Sequence, residues 1–207
     1  MITLSQVTKR FGQKTVFSEI NLNINSGDSL AFIGRNGTGK STLLKIIAGL
    51  LPFEKGEIIH RGKLKFGYIP ERFPALNIKA KEYLLRIGMI SGLSKNVAKQ
   101  QSEELAEAFF IQDMLDTPIR LLSKGTIQKV AATQAFLAVP DVLLLDEPIS
   151  GQDTASQKVF IEMVNKLNQK HGVTVLCSCH EDYIIKMKAH SVYEIEDCKL
   201  HRRYDNE

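Results

Sequence analysis

The sequence predicts an α/β fold with a mostly parallel central sheet, an N-terminal antiparallel β subdomain and an inserted α-helical subdomain. Three observations carry this. Short apolar runs at Ser29-Leu30-Ala31-Phe32-Ile33, Val142-Leu143-Leu144-Leu145 and Val173-Thr174-Val175-Leu176-Cys177 suit parallel strands covered on both faces. Helical segments alternate with those runs, as in a sheet built from strand–helix–strand units. From Ile78 to about Val139, Val, Ile and Thr thin out and Lys, Glu, Gln, Ala and Leu take over, which marks a helical block.

Taken in order, Ile2 to Phe11 and Thr15 to Ile24 read as two strands joined by a turn at Gly12-Gln13-Lys14. Asn25-Ser26-Gly27-Asp28 is a turn before the first apolar run. A helix over Leu43 to Leu50 follows, stopped near Gly49 and Pro52. Glu57 to His60 and Leu64 to Tyr68 are strand-like pieces split by Arg61-Gly62. Ile69 to Pro74 is irregular, because Pro70 and Pro74 break either kind of hydrogen-bond ladder. Helices are expected at Ala80 to Ile90 and Val97 to Leu115, with a break at Asp116-Thr117-Pro118. A third runs from Lys124 to Ala138 with Ser123 as N-cap. Phe160, Met163, Val164 and Leu167 follow the i, i+3, i+4, i+7 spacing of an amphipathic helix that Gly172 ends. Ser191 to Leu200 reads as one or two edge strands.

Composition sets bounds. A chain of 207 residues with 43% hydrophobic content fills an ordinary globular core. It holds no apolar run of about 18 residues or more, so no membrane-spanning helix is expected. The start, Met1-Ile2-Thr3-Leu4, lacks the pattern of a secretory signal. Three cysteines, Cys177, Cys179 and Cys198, are too few for a disulfide framework, which suits a reducing cytoplasm. The net charge of +4 is spread along the chain, so Arg61 to Lys65 and His201 to Arg203 read as solvated surface and no nucleic-acid partner is expected.

Between the first apolar run and its helix lies Gly34-Arg35-Asn36-Gly37-Thr38-Gly39-Lys40-Ser41-Thr42, which matches G-x-x-x-x-G-K-[ST] in its required strand–loop–helix setting. Glycines let backbone N–H groups form a concave nest for phosphate oxygens. The helix directs its positive end at the same anion. Lys40 supplies a point charge for the outer phosphates, and Ser41 a hydroxyl for Mg²⁺.

Ligands of parallel sheets bind beyond the carboxyl ends of the strands. There the sequence places the phosphate loop after Ile33, Asp146-Glu147 after Leu145, and His180 after the strand of Cys177. Asp146 is suited to hold Mg²⁺ and Glu147 to polarise an attacking water. Cys177-Ser178-Cys179-His180 lacks a fourth ligand at suitable spacing, so a structural zinc site is not expected. Phe11 is open to two readings, a core aromatic or a flat face on which a base stacks.

Together these segments resemble the ATP-binding cassette (ABC) ATPases over nearly the whole chain. Gly34 to Thr42 is then the Walker A loop of a P-loop NTPase core, and Val142 to Pro148 resembles Walker B with its catalytic glutamate. Leu122-Ser123-Lys124-Gly125-Thr126 sits where the family's signature motif sits, Ser150-Gly151-Gln152-Asp153 resembles the D-loop, and His180 the switch histidine. Phe11 falls where the adenine-stacking aromatic is expected. Two positions depart from the common pattern. Glu71 replaces the Q-loop glutamine as a further Mg²⁺ ligand, and the signature reads L-S-K-G-T instead of L-S-G-G-Q. Both variants are similar to those in cassettes of type-2 exporters.

The resemblance implies one cassette domain, with residues 1–75 and 140–207 as nucleotide-binding core and residues 76–139 as helical subdomain. It also implies an ATP- and Mg²⁺-dependent ATPase that pairs head to tail with a second, identical or different, cassette. Ser123, Gly125 and Asp153 would then contact the partner's ATP. A separate transmembrane permease would bind near Glu71 to Leu122, placing the chain in the cytoplasm on the inner face of the cell membrane. Two alternatives are a cassette serving a cytosolic assembly system and a hydrolysis-poor regulatory cassette.

Overall fold

The computed structural model describes residues 1–137, 139–179, 184 and 186–205. A three-stranded antiparallel sheet, order β2-β1-β4, is built from β1 (Ile2–Phe11), β2 (Lys14–Ile24) and β4 (Lys55–His60). A six-stranded sheet has the order β5-β6-β7-β3-β8-β9. Its strands are β3 (Ser29–Ile33), β5 (Phe66–Ile69), β6 (Val142–Asp146), β7 (Thr174–Ser178), β8 (Ser191–Glu196) and β9 (Lys199–Asp205). All neighbours pair in parallel except β8 and β9, which form an antiparallel hairpin.

Every residue of β3, β6 and β7 is buried. The period-2 geometry of a strand divides their side chains between two cores. Ala31, Ile33, Leu143, Leu145, Val175 and Cys177 face a core shared with the helices α2 (Ala80–Ile90), α4 (Lys124–Phe136) and α5 (Thr154–His171). Leu30, Phe32, Val142, Leu144 and Leu176 face the other, shared with α1 (Lys40–Ile47) and the N-terminal sheet. The apolar runs carry no alternation because both faces are covered. The helix-rich stretch, which includes α3 (Lys95–Ala108), packs into the first of these cores without a separate one of its own.

Several boundaries differ from those expected. The first helix starts at Lys40, three residues early, so Lys40 and Ser41 fall in its first turn. α3 stops at Ala108, before the predicted Leu115. Phe110 adopts a positive φ of 57°, and the Ile111 and Phe110 N–H groups donate to Ala106 and Glu107 carbonyls at 2.9 and 3.0 Å. This is a Schellman stop on a non-glycine residue, and it turns Phe109 and Ile111 into the core. The pieces at Lys55–His60 and Phe66–Ile69 belong to different sheets. Of the two C-terminal strands, β8 is interior and β9 lies at an edge of the sheet. Ser123 N-caps α4 as expected, its hydroxyl accepting the Thr126 N–H at 3.2 Å, and Gly172 ends α5 in the left-handed region.

Candidate active site

β7 lies between β6 and β3, so the carboxyl ends of all three reach one edge of the sheet side by side. That edge carries the glycine loop after Ile33, Asp146 at the end of β6 and Ser178 at the end of β7. Beside it is an open cleft of about 460 Å³. Phe11, Asn36, Gly37, Gly39, Lys40, Ser41, Thr42, Glu71 and Glu147 line it, with Lys14, Val16 and Arg72. Nine of the residues proposed from sequence therefore meet in one place, although they come from four separate stretches of chain.

The loop has the geometry of an anion cradle. Gly39 is the N-cap of α1 at φ 111°, and a Cβ there would sit 2.5 Å from Val16 and 2.7 Å from Phe17, so only glycine fits. α1 has no side-chain cap and no acid in its first turn, which leaves its N–H groups facing the cleft for an anion. Lys40 is buried, its ammonium donating to the Gly34 and Arg35 carbonyls at 2.8 and 3.3 Å. Thr38 braces the loop by donating its hydroxyl to the Arg35 carbonyl at 2.9 Å.

Asp146 is a buried hub. Its Oδ1 accepts the Ser41 hydroxyl at 2.9 Å and the Ser178 hydroxyl at 2.7 Å, and its Oδ2 accepts the Tyr68 hydroxyl at 3.3 Å. Burial, and then the neighbouring Asp146 carboxylate, push the Tyr68 phenol far above its ordinary value. Ser41 and Glu71 line the cleft and buried Asp146 bonds to Ser41, hard oxygen donors that suit Mg²⁺, an ion that takes few protein ligands and fills its shell with phosphate and water. Glu147 takes a positive φ of 49° immediately before Pro148. Phe11 is half exposed, with the Lys9 ammonium 4.8 Å from its ring centre, so it is not a core aromatic.

Ser123, Gly125 and Asp153 stand apart from the residues that line this cleft. They form a second cluster at the starts of α4 and α5. The Ser123 and Thr126 hydroxyls pair at 2.8 Å. A Cβ on Gly125 would lie 2.4 Å from the Gly151 carbonyl oxygen. Asp153 caps α5 by accepting the Ser156 N–H and hydroxyl, both at 2.9 Å, and pairs with Lys129 at 2.8 Å. The Lys129 ammonium, helped by the two Ser156 donors, holds the Asp153 carboxyl well below the usual carboxylate range. His180 lies outside the described residues. Cys177 and Cys179 are free and buried.

Tyr68, Ser178 and Lys129 escaped the sequence reading. Each touches a proposed site residue across a gap of 78, 32 and 24 positions, too far for any periodicity to register. Only the strand end at Ser178 hinted at a polar group in the right layer.

A family model described as ABC transporter matches residues 17–150. The zinc import ATP-binding protein ZnuC of Magnetococcus marinus is 31% identical over 187 residues, spanning 89% of this chain and 70% of the relative. ZnuC of Pseudomonas putida is 30% identical over 185 residues, with the same coverage. Among solved structures, the dimeric bacterial ABC transporter cassette MJ0796 superposes with a TM-score of 0.89 at 23% identity, over 99% of this chain and 98% of that one. An ATP-binding subunit of an ABC transporter superposes with a TM-score of 0.87 at 26% identity, over 97% and 88%.

Proposed function

This chain belongs to the ABC transporter family, and from that premise we propose that its ATPase cycle drives a separate transmembrane permease in the direction of export. Membership makes it an ATP-binding subunit with ATPase activity. The observation that supports the site assignment is the hydrogen bond from Ser41 to Asp146, made across 105 positions beside the glycine loop and Glu147.

In this reading the loop amides and the start of α1 hold the phosphates, Lys40 contacts the outer ones, and Phe11 stacks on the base. Ser41, Asp146 and Glu71 would hold Mg²⁺, which when bound neutralises charge developing on the phosphates. Glu147 polarises the attacking water, and His180 steadies the γ-phosphate. Ser123, Gly125 and Asp153 act on ATP held by a second cassette. Residues 76–139 form the helical subdomain, and 1–75 with 140–207 the nucleotide core. No helix among the described residues is long and apolar enough to cross a membrane. As the subunit that drives a separate permease, the chain would work on the inner face of the membrane.

Export rests on Glu71 and on the L-S-K-G-T signature at Leu122 to Thr126. A second reading, import, is favoured by the zinc import relatives at about 30% identity. Disrupting the gene separates the two: growth restored by added Zn²⁺ would establish import and sink export. The ATPase assignment is tested with Glu147→Gln. The variant should bind ATP and form a dimer visible by light scattering while failing to turn over. Hydrolysis at the parental rate would show that Glu147 is not the group that activates water.

A further inference from the structure

Ser178 has no part in the reaction outlined above, yet it sits at the centre of the site. It is the last residue of β7, fully buried, with Asp146 of β6 and Phe32 of β3 as its register partners. Its hydroxyl donates to Asp146 Oδ1 at 2.7 Å and accepts the Glu147 N–H at 3.2 Å. Its carbonyl accepts the same N–H at 3.1 Å. One residue thus grips the carboxylate of Asp146 and the backbone of Glu147 together.

Glu147 needs that grip. Its φ of 49° lies in the left-handed region, which a β-carbon disfavours, and Pro148 restricts it further. Such a strained conformation persists only where the surroundings over-determine it. Ser150 adds a bond from its N–H to the Glu147 carbonyl at 3.2 Å, closing the turn from the other side. A hydroxyl suits the central position because it donates and accepts at once, which no aliphatic side chain does. Ser41 shares Asp146 Oδ1 with Ser178, so the carboxylate is held from the α1 side and from the β7 side at once.

We infer that Ser178 is a positioning residue, whose single hydroxyl sets the metal-side carboxylate of Asp146 and the water-side residue Glu147 in fixed relation. This rests on the roles proposed for those two residues. Displacing a reacting group by about 1 Å costs on the order of 10²-fold in rate. Losing the hydroxyl should therefore lower turnover while leaving the phosphate cradle, built from other residues, intact.

The test compares Ser178→Val with Ser178→Thr, two side chains of nearly the same shape that differ in the hydroxyl, with Ser178→Ala as the variant that adds no bulk. Ser178→Val and Ser178→Ala should lower kcat about 10- to 100-fold, with KM for ATP within about twofold. Affinity for a fluorescent ATP analogue, measured without Mg²⁺, should also stay within about twofold, since the cradle is untouched. Ser178→Thr should recover kcat to within about threefold of the parent.

Equal kcat in the Val and Thr variants, both high or both low, would overturn the inference, as would loss of Mg²⁺-free nucleotide binding in Ser178→Ala. If Glu147→Gln turns over normally, the role of Glu147 falls, whatever the Ser178 variants do. If Glu147→Gln is inactive and Ser178→Ala is normal, only the positioning role falls.

Discussion

Gly125→Ala probes how closely the start of α4 approaches the turn before α5. The added methyl would lie 2.4 Å from the Gly151 carbonyl oxygen and 3.4 Å from its carbon. Ordinary contact begins about 1 Å further out, so the helix or the turn must give way. The turn is poorly placed to yield. Ser150 and Gln152 donate their N–H groups to the Glu147 and Ile149 carbonyls at 3.2 and 3.3 Å, and the Gln152 amide donates to the Pro148 carbonyl at 2.8 Å. The Lys124 side chain borders the same turn, its Cδ 3.8 Å from where a Cβ on Gly151 would stand. Overpacking of this kind costs roughly 1–3 kcal/mol. Alanine regains up to about 1 kcal/mol of helix propensity, less in a first turn. The net loss should be about 1–2 kcal/mol, a fall in Tm of roughly 2–8 °C for a chain of this size. Thermal unfolding of the nucleotide-free protein by circular dichroism reads this without any contribution from catalysis. A Tm equal to or above the parent would refute the close approach, since helix propensity alone would then decide the sign.

Three further substitutions address other layers. Lys40→Ala removes the buried ammonium at the loop and should abolish ATP binding or weaken it at least about tenfold, read by calorimetric titration. Phe160→Ala empties a fully buried position packed 5.7 Å from the Phe136 ring and should cost about 3–5 kcal/mol in chemical denaturation. Lys129→Met releases Asp153. Because the folded carboxyl lies below its unfolded value of about 3.9, the pair's contribution is fully present above that pH and is lost as pH falls through the folded value. The variant should lose up to about 1 kcal/mol at pH 7, a modest amount because Asp153 is half exposed, and its melting profile should fall less steeply below about pH 4. Parallel profiles would show that the pair is not coupled to folding.

What could be read from the chain was local. The strand–loop–helix over Ser29 to Ile47, the runs at Val142 to Asp146 and Thr174 to Ser178, and the caps Ser123 and Gly172 depend on residues within a few positions of one another. Periodicity, glycine conformation and capping chemistry act at that range, so their signals survive in the bare sequence. The glycine loop, Asp146 and Glu147 were legible for the same reason, since each sits where a buried run ends.

Tertiary structure decided everything that depends on which segments meet. Lys55–His60 and Phe66–Ile69 look alike as short strands, yet one completes the N-terminal sheet and the other edges the central one. The early end of α3 follows from the burial of Phe109 and Ile111, which overrides the helical composition beyond Ala108. The hydroxyl bonds of Ser41, Tyr68 and Ser178 to Asp146, the approach of Gly125 to Gly151 and the pairing of Lys129 with Asp153 all arise from register and packing. Those contacts are set by how two cores share the central strands, a property of the whole chain that no window of sequence carries.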